Sequence, residues 1–523
     1  VLRDLADYEV IVVGAGSAGS VLASRLTEQT DRKVLLIESG HEPAASTASA
    51  VADGFSLQAS VDPATARKSS VEVMPGRPAQ VWSGNVLGGS SSINGCYFIR
   101  GTAQDIERLT VASGGLWSFD KVTSAYARSE HDLDFAEHLG HGSSGPVSIR
   151  RDLNPLHSVS SAFTQACLRL GYPFEADKNS IGNPGIGPVP LNIVDGVRIS
   201  AAAAYLQPHR ERTNLSILTD CQVQRVVIEQ GRAVGVQVLE SGHSRIIRSQ
   251  QIVLSAGSQG SAQLLLLSGV GPQAQLRRLG ITVHVDLPGV GNSTANHPTL
   301  DLMYQPVSTL NVSAPNSQAV QVQAEASFMQ MALHLGGDRG DRAEGADLEF
   351  LPTRRPYGQA TGRDPSDELL SFRITLTRPE SRGTLRLSST DPQEQPVMSY
   401  HYLQQSSDRE RMRVAVRTAI ELAESPEFTP VVDQFFGPNR ADLGSDAQLD
   451  AWIEQRLGTA FHLTGTCPMG TASNPSAVVD ARCQVYGVQG LRVIDSSILP
   501  EPLSRGPAAT ALMIGELAAQ FFN

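Results

Sequence analysis

Residues 8–19 read Tyr-Glu-Val-Ile-Val-Val-Gly-Ala-Gly-Ser-Ala-Gly, and this stretch decides the fold of the chain around it. The apolar, β-branched run Tyr8 to Val13 predicts a buried strand, and the residues after it, SVLASRLTE (20–28), predict a helix. The glycines fill the tight turn between the two. Gly14 permits the turn, Gly16 lets the backbone approach a pyrophosphate, and Gly19 lets helix and strand pack closely. Ser17 and Ala18 open the helix, whose free amides and partial positive charge suit an anionic group. Lys33 to Ile37 predicts a second strand, and Glu38 at its end is placed to accept hydrogen bonds from both hydroxyls of an adenosine ribose. Strand, turn, helix and terminal acid together predict a dinucleotide site. They do not separate FAD from NAD.

The separation comes from residues 84–107, GNVLGGSSSINGCYFIRGTAQDIE. A Gly/Ser/Asn cluster by itself is a turn signal. Beside a dinucleotide fingerprint, the run through Gly84, Gly88, Gly89, Ser90, Asn94 and Gly95 reads as backbone that must come close to something flat, here a flavin.

On these residues the chain resembles the glucose-methanol-choline (GMC) oxidoreductases. Gly84 through Glu107 is similar to the family's first signature. Gly257-Ser258, Ser261, Leu264 to Leu267 and Ser268 to Gly271 are similar to the second, with Ala262 where the family has Pro or Ser. The third similarity is terminal, in His462 to Thr466 with Met469-Gly470, then Val493 to Ser497, then Pro507 to Glu516. The resemblance implies an α/β (α+β overall) chain in which a Rossmann-like FAD-binding domain is interleaved with an antiparallel-sheet substrate domain. The expected order is FAD-binding 1–108, substrate 109–204, FAD-binding 205–300, substrate 301–457 and FAD-binding 458–523. It also implies that Val223, Ala256, Gly257, Asp495, Ser496, Pro507 and Thr510 join the cofactor's surroundings. Some relatives bond the flavin through a histidine just before the loop asparagine; Ile93 stands there, so noncovalent FAD is expected.

Oxidising an alcohol requires a base for the hydroxyl proton while hydride leaves carbon for the flavin, and neutral imidazole suits that task. By resemblance the base is His462. Most GMC enzymes place a second His or Asn where Gly506 stands, and Ala508 supplies no polar group either. Arg505 is therefore a candidate partner, able to hold an anion or stabilise developing negative charge. The residues LNIVDGVR (191–198) and SRGP (504–507) resemble a bacterial branch associated with the mycofactocin redox system, although that branch has a histidine at the position of Ala508. Three readings stay open: alcohol oxidation with oxygen or a redox carrier as acceptor, a lyase or other non-oxidative reaction on the same fold, and a noncatalytic flavin protein.

The rest of the sequence narrows partners and location. With 523 residues the chain exceeds one core and suits two or more domains. A net charge of −11 disfavours nucleic acid or anionic membrane as a partner. No run of about 18 apolar residues predicts a membrane span. Five cysteines without metal-ligand spacing predict reduced thiols and no structural metal. Without a signal-like segment before the first strand, a cytoplasmic location is the expectation. His41 to Trp82 reads as a long excursion that could cover the cofactor, and Gly182 to Pro190 as an aperiodic Pro/Gly-rich stretch. Alternating segments at Ala319 to Leu333, Ala346 to Leu351, Leu370 to Leu376 and Gly383 to Leu387 predict the roofing sheet. Asp408 to Glu424 predicts an amphipathic helix.

Overall fold

The computed structural model describes residues 8–153, 156–180, 184–307, 327, 329–336, 346–353 and 369–522. Val10–Val13 forms the centre of a five-stranded parallel sheet in the order Leu215–Leu218, Val34–Ile37, Val10–Val13, Gln251–Leu254, Leu491–Val493. The residues of the two middle strands, VIVV and VLLI, are buried on both faces, which is why they read as continuous apolar runs instead of alternating ones. The helix Ser17–Leu26 packs on this sheet and against the last long helix, Ala508–Ala518. A meander of Cys221–Glu229, Arg232–Glu240 and His243–Arg248 adjoins the sheet.

The second layer is antiparallel. Its order is Val432–Phe435, Pro298–Pro306, Leu370–Leu376, Ala346–Thr353, Met331–Gly336, Gly185–Pro188, with Gly458–Thr459 also paired to Pro298–Pro306. Helix Ser406–Ala423 buries Met412, Ala415, Val416 and Ala419. No helix among the described residues is long and apolar enough to cross a membrane.

Three segments differ from expectation. His41 to Trp82 is no open excursion: it holds helices Ala45–Ala52 and Gln58–Val61, then the hairpin Ala66–Met74 with Arg77–Gly84. Pro75-Gly76 is the turn signal that marks the hairpin. Gly185–Pro188, inside the stretch read as aperiodic, pairs with Met331–Gly336 as the outermost strand of the antiparallel layer, a place where backbone pairing tolerates Gly and Pro. Thr384–Arg386 is a strand, but it belongs to the sheet of the hairpin and not to the roof. Of the segment from Ala319 to Leu333, residues 319–326 and 328 lie outside the described residues.

A buried ionic group secures the exit of the flavin-loop segment. Asn179 accepts from the Arg100 backbone N–H at 2.9 Å and donates to the Phe98 carbonyl at 3.1 Å. Arg100 bonds Glu130 at 2.5 Å, and His141 Nδ1 lies 3.2 Å from Glu130 and 3.1 Å from Asp132. His141 Nε2 meets Asp177 at 2.9 Å, and Arg151 bonds Asp132 and Asp177 at 2.5 and 3.0 Å. Burial opposes a charge on His141, but Asp132, Asp177 and Glu130 outweigh it and push the imidazole up to about 10. Glu130, Asp132 and His141 are grouped closely enough to suggest a metal site. Both ring nitrogens of His141 already face carboxylates, and two arginines complete the group, so it is read as an ion-pair network.

Candidate active site

A cavity of about 420 Å³ runs between the two layers and joins the nucleotide fingerprint to His462. Its walls include Gly14, Gly16, Ser17, Ala18 and Glu38 at one end, then Gly84, Gly89, Ser90, Asn94 and Gly95. Val223, Ala256, Gly257, Asp495, Ser496 and Pro507 line it as well. Four expected residues do not. Gly19 sits behind the turn, where a Cβ would fall 1.9 Å from the Gly14 carbonyl oxygen, and Gly88 faces Ser92 and Ala202. Thr510 is fully buried and hydrogen-bonds Tyr126 Oη at 2.7 Å.

The fourth is Arg505. Its guanidinium donates to the carbonyls of Ala346 at 3.0 Å and Ser504 at 2.7 Å. It also opposes the effect of burial on the Glu349 carboxyl, which is raised overall.

The nucleotide end fits FAD on its own geometry. Gly14 has φ of 101°, and a Cβ there would lie 2.4 Å from the Ser255 carbonyl oxygen. A Cβ on Gly89 would come within 2.7 Å of Gly16 Cα, so the flavin-loop backbone reaches the turn only because residue 89 is glycine. Three helices begin at the cavity without a side-chain bond from the N-cap residue, at Ser17, Gly257 and Ala508, and of these the Ser17 helix start lies at the nucleotide turn, where its amides suit an anionic group. Glu38 accepts from the backbone N–H groups of Ala15 at 2.8 Å and Gly40 at 2.9 Å. Burial raises its carboxyl while those bonds hold it down. Asp495 accepts from Gly257 N–H and Ser261 Oγ at 2.9 and 2.6 Å, fixing the second helix start.

At the other end the pairing of Pro298–Pro306 with Gly458–Thr459 continues beyond the strands. Ala460 N–H donates to the His297 carbonyl at 3.0 Å, and Ala295 and Thr464 exchange backbone bonds of 3.0 and 2.8 Å. This register places His297 beside His462. Their Nδ1 atoms are 3.0 Å apart and the rings meet edge to face at 87°. Asn296 Oδ1 accepts from the backbone N–H groups of both histidines at 2.8 Å. Phe461, with φ of 63°, is a non-glycine residue in the left-handed region immediately before His462. Sequence reasoning missed His297 and Asn296. The local signal was Asn296-His297-Pro298 at the start of a strand; its partner lies 165 residues away.

Burial holds the His462 imidazole well below its usual range, assisted by His297 and Arg373. Burial also pushes His297 down to about 4, against an opposing hydrogen bond to the Leu503 carbonyl. Both rings are neutral near pH 7. A Cβ built on Gly506 would lie 3.3 Å from His462 Cε1 and 3.5 Å from Nε2, so the Gly506 side of the imidazole is its Nε2 edge. Tyr97, Glu349, Arg373 and Tyr400 line the same end of the cavity, and Arg373 makes a two-point bond to Asp301 at 3.0 and 2.7 Å.

Comparison with known proteins places this geometry in a family. The GMC oxidoreductase family matches residues 8–299 and again residues 379–515. An uncharacterized GMC-type oxidoreductase of Rhodococcus erythropolis is 36% identical over 520 residues, covering 98% of both chains. An oxygen-dependent choline dehydrogenase of Vibrio vulnificus is 31% identical, covering 98% of this chain and 93% of its own. Pyridoxine 4-oxidase from Mesorbium loti superposes with a TM-score of 0.90 at 28% identity, covering 98% of this chain and 99% of its own. The fingerprint, the glycine-bounded cavity and full-length similarity agree, and the chain belongs to the GMC oxidoreductase family.

Proposed function

We propose that this protein oxidises a small-molecule alcohol with noncovalently bound FAD, using His462 as the general base. The carrying observation is that one cavity joins Glu38, an uncapped helix start and the glycine-bounded loop to the neutral His462. The choline dehydrogenase and pyridoxine 4-oxidase relatives support an alcohol as substrate. Oxygen or a redox carrier takes the electrons afterwards.

Gly14, Gly16, Ser17 and Ala18 would hold the pyrophosphate, Glu38 the adenosine ribose, and Gly89, Ser90 and Asn94 the flavin ring. When bound there, FAD would supply a hydride acceptor for the alcohol carbon. His462 accepts the hydroxyl proton at Nε2, while its Nδ1 faces His297. Burial keeps His462 unprotonated at neutral pH, so the base is available without prior loss of a proton. Ile93 precedes Asn94 and offers no nucleophile for a covalent link to the flavin.

Acid precipitation should release yellow FAD into the supernatant; flavin kept in the pellet removes the noncovalent assignment. Anaerobic mixing with alcohols should bleach the flavin. Product formation without bleaching would replace oxidation with a non-redox reaction at the same site.

A further inference from the structure

We infer that Glu349 determines substrate specificity: from the roof of the cavity it accepts a hydrogen bond from a second donor group, a hydroxyl or an ammonium, carried by the alcohol. The inference rests on the alcohol reading above and narrows its substrate class.

The roof strands Ala346–Thr353 and Leu370–Leu376 are buried at every residue, so exposure does not tell their two faces apart. Register does. Glu349 stands opposite Thr375 and Leu351 opposite Arg373, and all four line the cavity. The residues between them, Leu348, Phe350, Phe372 and Ile374, join the apolar core, where Phe372 also meets Phe163. A carboxyl thus occupies a wall position that packing alone would fill with a residue like Leu351. Burying it costs free energy unless hydrogen-bonding partners compensate.

Part of that compensation is internal. His334, opposite Glu349 on the next strand and fully buried, places Nε2 3.0 Å from Glu349 Oε2. This contact takes one of about four acceptor sites on a carboxylate, and a substrate donor can take another. Arg373, on the same face, has its charge matched by the two-point bond to Asp301. The distinctive offer of this wall is therefore an acceptor. An ionised carboxylate only accepts, so the group it meets must be a hydroxyl or an ammonium, not an ether, a carbonyl or a hydrocarbon.

The sheet also sets where that group sits. Thr299, two residues after His297, pairs with Thr375, which pairs with Glu349. Glu349 stands two strands, about 10 Å, from the strand that His297 precedes. The second donor is accordingly several bonds from the carbon that reacts beside His462. An alcohol without it would leave the carboxyl dehydrated and short of a partner, which is how a built polar site rejects the analogue that lacks its group.

The test uses the FAD-loaded enzyme and matched alcohols of several chain lengths ending in methyl, hydroxyl or ammonium, such as 1-hexanol, 1,5-pentanediol and 5-amino-1-pentanol. In anaerobic rapid mixing the donor-ended compounds should reduce the flavin at least about 10² more efficiently, as rate over apparent Kd, than their methyl-ended counterparts. Glu349→Leu should bring that ratio below about threefold at full FAD content, with the methyl-ended alcohols reacting at least as well as in the parent. Glu349→Gln keeps an acceptor oxygen without the charge; it should retain the preference for hydroxyl and lose any added preference for ammonium, which separates the two donors. A parent that prefers methyl-ended alcohols, or an unchanged ratio in Glu349→Leu, overturns the inference. If no alcohol bleaches the flavin, the functional reading fails, and titration of the oxidised flavin's absorbance with the same compounds still decides the role of Glu349. A donor preference in binding that Glu349→Leu abolishes upholds it; the absence of one overturns it.

Discussion

Two histidine sites in this molecule differ in charge state, one ring cationic and the other neutral. His141 is surrounded by Glu130, Asp132 and Asp177 and is raised to about 10, whereas His297 faces another imidazole and has the charge of Asp105 as its one carboxylate influence, too little to offset burial, and is lowered to about 4. Burial opposes the charged form at both. The neighbours decide which way the balance falls: three carboxylates overcome desolvation, and neutral acceptors do not. The first site is thereby a fixed cation that ties segments together, and the second is a pair of neutral rings with a lone pair to use. Charge state follows the partners supplied by the fold together with the depth of the residue.

The largest effect should appear at the neutral site. His462→Ala should slow anaerobic flavin reduction by about 10² to 10⁴, the usual contribution of a positioned base, with FAD content unchanged. Stopped-flow absorbance checks it, and a rate like that of the parent would strip His462 of the role. At the charged site the loss should fall on stability instead. His141→Gln removes the cation from a network whose carboxylates are buried, and denaturant titration should show a loss of about 3 kcal/mol. Flavin reduction in the protein that remains folded should change less than about threefold; a hundredfold fall would erase the contrast between the sites.

pH separates the two sites by sign. His297 resists protonation when folded, so from about pH 6.5 down to about 4 the unfolded chain binds the extra proton and stability falls with decreasing pH. His141 has a raised folded value, so its stabilisation is full below about pH 6.5 and is lost as pH rises through about 10. Melting curves should show His297→Gln flattening the acid side and His141→Gln the alkaline side. If either variant flattens the other's side, the charge assignment is wrong. The smallest effect is expected from Gly506→Ala. Its Cβ would touch His462 Cε1 at 3.3 Å, requiring a shift of a few tenths of an ångström, and flavin reduction should change by less than about tenfold without altering melting.

What the sequence made legible was whatever chemistry is written locally. The glycine turn, Glu38 and the flavin-loop glycines are each a few residues long and carry their meaning in backbone requirements, so they could be read before any tertiary contact was known. The hairpin Ala66–Met74 with Arg77–Gly84 was equally local, marked by Pro75-Gly76, but its alternation was hidden among alanines and serines. Gly185–Pro188 was hidden for a different reason: its pairing partner, Met331–Gly336, supplies the order that its own composition denies. His297 could not be paired with His462 from spacing, because the contact depends on the register between two distant strands. Arg505 shows the converse. Nearness in the chain to Gly506 said nothing about where its guanidinium would point.

The order of the parallel sheet also bears on how the molecule is made. Leu491–Val493 is an edge strand of the sheet whose centre is Val10–Val13, and it joins through Gln251–Leu254. Much of this half can pair early in synthesis, but its last strand and the helix Ala508–Ala518, which packs on Ser17–Leu26, arrive late. Until then the edge of Gln251–Leu254 and the apolar face awaiting that helix remain open to other chains. Production of this protein should therefore favour slow synthesis and chaperone capacity, since the interval between first and last strand is when aggregation competes with folding.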